Sequence, residues 1–248
     1  MEVHAHTHTA RKKWTHYFWE FLMLFLAVFC GFLAEYQLEH TIENQREKQY
    51  MQSLTEDIRQ DIQVLDNGLK KIQLSVLGKD SLVQLLQNEK LTPQQEETFY
   101  NYHWKYVGYV TEFPFSKRTL MQLLNAGGLR LVRNKKVSGA IATYAAKVEY
   151  HEQTRQPQYI DDSYRALYAS SKLVNTKYLR AVPDDIRYTR AAYEKPVIRN
   201  ATPENLSDFS FAMEMDKENC ILFMQNLVQH QQLAKSLLQL LEQEYKIK

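Results

Sequence analysis

"WEFLMLFLAVFCGFLAEY", Trp19 to Tyr36, is the one stretch of the chain with almost no polar residue, and Glu20 and Glu35 stand near its ends. It reads in three ways: a core helix, a cleavable signal or a membrane span. From Phe21 to Ala34 nothing is charged or strongly polar. That is about fourteen residues, and about eighteen back to Tyr17 with Glu20 as the one interruption, against the roughly 20 of a straight span. The flanks therefore decide. Arg11, Lys12 and Lys13 precede the run, Trp14, Tyr17, Phe18 and Trp19 open it, and Tyr36 closes it. Basic residues, an aromatic belt, an apolar centre and a second aromatic make the pattern of a helix anchored at two interfaces. A signal peptide needs small residues at its cleavage site, and Phe32-Leu33-Ala34 supplies only one. The stretch reads as an uncleaved anchor, and the basic cluster places the N-terminus in the cytoplasm and the rest outside it.

Composition fits that reading. The 248 residues are 44% hydrophobic, enough for a sizeable core, and the net charge is +2. Such near-neutrality leaves no electrostatic footprint for nucleic acid. Cys30 lies in the apolar run and Cys220 far downstream, so no disulfide framework is expected.

Beyond the run, the chain to Gln49 is polar nearly all round and reads as a solvated stalk. Met51, Leu54, Ile58, Ile62, Leu65, Leu69, Ile72 and Val76 then form a stripe at steps of three and four. With no proline before Pro93, span, stalk and first bundle helix are expected as one rod, about 60 Å from Glu35 to Val76 at 1.5 Å per residue, with Gly68 and Gly78 as weak points. Thr92 and Pro93 start a second helix. A short helix spans 116–125, and Gly127 and Gly128 end it. Asn134 caps a helix that runs past Tyr150 and is interrupted or kinked at Pro157. Residues 181–203, with three prolines, read as an irregular connection. A last helix covers 205–245, with Met213, Cys220, Met224, Leu227, Ala234, Leu238, Leu241 and Tyr245 on one side. The expected fold is all-α: an N-terminal transmembrane helix continuing into a long helix, then an antiparallel bundle. The expected division is 1–13 cytoplasmic tail, 14–36 membrane helix, 37–50 stalk and 51–248 extracytoplasmic bundle.

Residues 11–61, "RKKWTHYFWEFLMLFLAVFCGFLAEYQLEHTIENQREKQYMQSLTEDIRQD", and 119–153, "TLMQLLNAGGLRLVRNKKVSGAIATYAAKVEYHEQ", resemble an uncharacterised family of bacterial single-pass inner-membrane proteins with a periplasmic helical domain. The two stretches cover about a third of the chain. The resemblance implies a Gram-negative inner-membrane location with a periplasmic bundle. It carries no catalytic residues.

Candidate chemistry is sparse. No Gly-rich phosphate loop, G-x-S-x-G, H-E-x-x-H or C-x-x-C occurs. The pairs Asp161-Asp162 and Asp184-Asp185 read as solvated carboxylates. His4, His6 and His8 alternate in the tail and can chelate a divalent metal, but a flexible tail costs ordering entropy and no cysteine completes a cage. Glu20, Leu24, Ala27, Gly31 and Glu35 share one helix face. Ala27 and Gly31 form a small-xxx-small pair that lets helices approach. Glu20 either meets a partner there or snorkels back toward His16 or Lys13. In "FYNYHWKYVGYV", Phe99, Tyr102, Tyr106 and Tyr109 are expected in the core, leaving Tyr100 and Trp104 as a candidate recognition surface. The expected function is a non-catalytic, membrane-anchored interaction or scaffold subunit. Its expected partners are the lipid bilayer and a membrane protein or a second copy, with no cofactor. The alternative is a periplasmic ligand sensor that signals through a separate membrane partner.

Overall fold

The computed structural model describes residues 14–88, 90–125, 127–175 and 197–247. The His4-His6-His8 tail, the Arg11-Lys12-Lys13 cluster and Asp184-Asp185 lie outside them. The fold is all-α. Every regular element among the described residues is helical: α1 (Trp14–Leu86), α2 (Pro93–Tyr106), α3 (Arg118–Asn125), α4 (Lys135–Tyr150), α5 (Gln156–Ala169) and α6 (Pro203–Tyr245), with short 3-10 turns at Gly128–Leu131 and Ser170–Lys172. The chain divides into two compact units, Met1–Gln49 and Tyr50–Lys248, and α1 contributes to both.

In the first unit α1 is long and apolar enough to cross a membrane, and none of its apolar stretch is buried. Leu24, Val28 and Phe32 each expose about two thirds of their surface. A core helix would bury these residues against its own chain. Here Phe21, Phe25 and Phe29 stack only on one another, one turn apart.

The second unit is built on two long seams. In α1 the buried positions are 51, 54, 58, 61, 65, 68, 72, 75, 79, 82 and 86, with Thr55 and Gly78 beside them. In α6 they are 206, 209, 213, 216, 220, 223, 227, 230, 234, 237 and 241. Both sets alternate steps of three and four without a slip, as in helices that present one narrow seam to a partner. The two run antiparallel: Arg59 bonds Glu242 at 2.7 Å, Asp66 meets Gln231, and Lys79 pairs with Asp216 at 2.7 Å. Helices α4 and α5 complete the bundle antiparallel to α6, through Asn134–Glu244, Lys147–Asn226 and Ser163–Asp216 contacts.

Of the apolar stripe expected on α1, Met51, Leu54, Ile58, Leu65 and Ile72 are buried and three residues are not. Ile62, Leu69 and Val76 are only half-buried, and Asp61, Gly68 and Ser75 occupy the seam instead. On α6, Met224, Leu238 and Tyr245 are likewise peripheral, while Asp216, Phe223 and His230 point inward.

Local starts follow the residues. Thr92 and Gln95 make a reciprocal capping box on α2, whose first residue is Pro93. Asn134 caps α4 by accepting from Lys136 and Val137 N–H. Gly127 takes the left-handed conformation, φ 68°, that ends α3. Pro157 does not break the chain. The five residues His151–Arg155 wind as a π turn, and α5 continues through the proline. A wider turn there accommodates a ring that clashes with the preceding carbonyl and a nitrogen that cannot donate.

Gly68 and Gly78 are ring seats, not weak points. A Cβ at Gly68 would stand within about 2.1 Å of the Phe113 ring, and one at Gly78 within about 2.2 Å of Tyr106. Gly139, on the exposed side of α4, has nothing within 4 Å. Gly139→Ala should therefore raise stability by about 0.5–1 kcal/mol through helix propensity. Gly68→Ala should lower it by about 1–3 kcal/mol through overpacking. Chemical denaturation of both variants checks the opposite signs.

Candidate functional site

The chemistry-bearing residues of the second unit are gathered inside the bundle in layers. In the first, Asp61 of α1 accepts from Ser116 N–H at 2.8 Å and from the Tyr144 hydroxyl at 2.6 Å, while Asp57 accepts from Thr119 N–H. The two carboxylates thus receive amide donors at the start of α3 that have no partner within their own helix. Burial pushes Asp61 up to about 6, against the lowering effect of the Tyr144 and Ser116 bonds. Burial and the neighbouring carboxylates raise the Tyr144 phenol well above its ordinary value.

The next layer holds two fully buried histidines, His151 at the head of the π turn and His230 on α6, with ring centres 5.9 Å apart. Phe115 lies 4.5 Å and Tyr144 5.4 Å from the His230 ring, while Phe113, Phe115 and Phe223 surround His151. Among the described residues neither His230 ring nitrogen has a hydrogen-bond partner, and His151 has one, Gln156 Oε1 at 3.3 Å. Gln156 Oε1 also accepts from Phe113 N–H at 2.9 Å. Desolvation holds His151 down at about 4 and His230 at about 3, so both are neutral at pH 7.

The third layer is an ion pair. Lys79 Nζ and Asp216 Oδ2 are 2.7 Å apart, with both side chains essentially without solvent exposure. Lys79 also donates to Cys220 Sγ at 3.1 Å, and Ser163 donates to Asp216 Oδ1 at 3.1 Å. Burial raises the Cys220 thiol, which is consequently a poor nucleophile. In a separate apolar cluster, His103 of α2 meets Ser170 Oγ at 2.8 Å, and burial lowers it to about 4.

Tyr100, expected at the surface, is buried. Its hydroxyl accepts from Asn175 N–H and donates to the Val197 carbonyl, tying α2 to the segments on either side of the α5–α6 connection. Its position one residue after Phe99 points it into the same cluster, because the apolar face of α2 is wide enough for both. Trp104 remains 46% exposed. Tyr102 and Tyr106, expected in the core, are half-buried, and Tyr109 is exposed. In the first unit, Glu20 pairs with His16 one turn back at 3.0 Å, and space around Gly31 is open within 4 Å. Asp161 pairs with Arg165, both exposed, as a solvated carboxylate does.

Sequence reasoning missed Asp61, Lys79, Tyr144, His151, Asp216 and His230. The available signal was the strict three-four phase: it puts Asp61 and Lys79, and likewise Asp216 and His230, on seam positions that apolar residues otherwise fill. No protein-family model, curated protein or solved structure matches the chain.

Lys79→Met should destabilise the bundle by about 3–5 kcal/mol, because it strands the Asp216 charge in the core. Adding Asp216→Asn should recover more than half of that loss. Denaturant titration of the single and double variants checks the coupling.

Proposed function

We propose that this chain is a non-catalytic, membrane-anchored interaction subunit. In this reading residues 14–36 cross the inner membrane of a bacterium with the N-terminal tail in the cytoplasm, and residues 51–248 are a periplasmic helical bundle. The observation that carries it is the apolar stretch of α1, none of which is buried and which is flanked by Trp14, Tyr17, Trp19 and Tyr36. Aromatic residues favour both membrane interfaces, and lipid is the natural cover for so much apolar surface. The resemblance of residues 11–61 and 119–153 to single-pass inner-membrane proteins supports the same location.

The non-catalytic part of the reading rests on access. Lys79, Asp216, Cys220, His151 and His230 are buried, and the ion pair, Ser163 and the thiol engage one another rather than an open cleft. Association is assigned to the α1 face that carries Glu20, Ala27, Gly31 and Glu35. In lipid, close approach over small residues drives helix pairing, and the open space at Gly31 suits it. The occupant is a second copy or another membrane protein.

A ligand-sensor reading is favoured by one feature, a groove of about 1050 Å³ between the end of α1 and the start of α6, lined by residues that include Gln84, Phe211, Glu214 and Lys217. There Lys217 is held by Glu214 at 2.7 Å and by Asp80 at 3.1 Å. Thermal stabilisation by a small periplasmic solute would shift the balance to this reading.

Cross-linking in intact membranes tests the main reading. It should give one discrete oligomer or a stoichiometric partner, and Gly31→Ile should weaken that product by several-fold. A reporter fused after Lys248 should be active only when it requires the periplasm. An unaltered chain that cross-links to nothing, or a reporter that works in the cytoplasm, overturns it.

A further inference from the structure

We propose that the His151–His230 layer is an acid-sensitive latch: two neutral imidazoles close the bundle, and proton uptake releases α6 from α4 and the π turn. The inference goes beyond membrane anchoring and does not rest on it.

The geometry carries the argument. His230 occupies a seam position of α6 that a leucine would fill, packed against Phe115 and Tyr144 with no exposure. His151 faces it from the π turn, the one place where the α4–α5 rod leaves regular α-helical winding. A buried imidazolium needs a carboxylate or acceptors for both N–H groups. In the closed state His230 has neither, and His151 has a single acceptor, Gln156 Oε1 at 3.3 Å, which Phe113 N–H already occupies. From α1, Asp61 is engaged by Tyr144 and Ser116, and Asp57 accepts from Thr119. From the π turn, Glu152 favours a charged His151 but is itself engaged by Lys117 at 2.7 Å, and Arg155 adds an opposing positive charge. From α4, Lys147 adds another that acts on both histidines. The segment before α3 presents only the Phe113 and Phe115 rings. Each histidine also repels the other once charged.

The sign follows from linkage. Both histidines have folded-state values depressed below 6.5, so their contribution is complete above pH 6.5 and is lost as pH falls toward 4 for His151 and 3 for His230. His103, lowered to about 4, adds loss of the same sign elsewhere in the bundle. Asp61, raised to about 6, acts oppositely: its contribution grows as pH falls from 6 toward 4. One carboxyl does not offset the two imidazoles of the layer, so acid opens it.

Hydrogen exchange of the full chain in nanodiscs tests the latch, with rates corrected for the intrinsic pH dependence of exchange. Protection of residues 223–237 should fall about 100-fold between pH 7 and pH 5. In His151→Phe/His230→Phe it should not fall, and in His103→Phe it should fall as in the unaltered chain. Equal protection at both pH values in the unaltered chain, or an equal fall in the double variant, overturns the proposal. If the double variant does not fold, histidine ring NMR of the unaltered chain decides. Protonation of His151 and His230 concurrent with loss of α6 protection supports the latch. Titration near pH 6.5 with protection intact overturns it.

Discussion

The bundle depends on the pairing of Lys79 with Asp216, because it is the costliest arrangement to place wrongly. Two opposite charges without solvent exposure tolerate one alignment of α1 and α6, and a shift of a single turn along the seam would leave each charge buried without its partner. Ser163 and Cys220 complete the coordination, so the same interaction also fixes α5 against α6. The apolar residues of the two seams supply the cohesion. The ion pair supplies the register, as buried polar residues do in coiled coils.

A second polar tie acts at the other end of the bundle. Asp61 binds the start of α3 and the Tyr144 hydroxyl at once, so α1, α3 and α4 meet at one carboxylate. Between the two ties lies the histidine layer, where ring nitrogens have few partners and aromatic faces do the packing. The core is thus strongly specified at Asp61 and at Lys79–Asp216, and weakly satisfied at His151 and His230. That contrast makes the middle layer the natural place for a conditional opening.

Much of the architecture was legible in the residues. Thr92-Pro93, Asn134 and the Gly127-Gly128 pair mark helix ends by local chemistry, and the structure uses each of them near the expected position. The exposed apolar stretch of α1 was legible for the same reason: its pattern is contained in adjacent residues. The polar layers were not, because an apolar-only stripe passes over Asp61, Lys79, Asp216 and His230. Choosing Ile62 over Asp61 follows local hydrophobicity, whereas the seam is set by what the partner helix can satisfy. Tyr100 was misplaced for a related reason. Its hydroxyl is satisfied by Asn175 and Val197, residues 75 and 97 positions away that no local pattern reveals.

The antiparallel register of α1 and α6 is the central claim, and proximity cross-linking tests it most directly. In a Cys30→Ala background, Arg59→Cys with Glu242→Cys should be joined within one chain by a short bis-maleimide, because those side chains meet at 2.7 Å. Arg59→Cys with Lys217→Cys should not, since Lys217 sits beside Asp80, about six turns along the seam. Efficient joining of 59 to 217, with none of 59 to 242, would contradict the register and the polar layers derived from it.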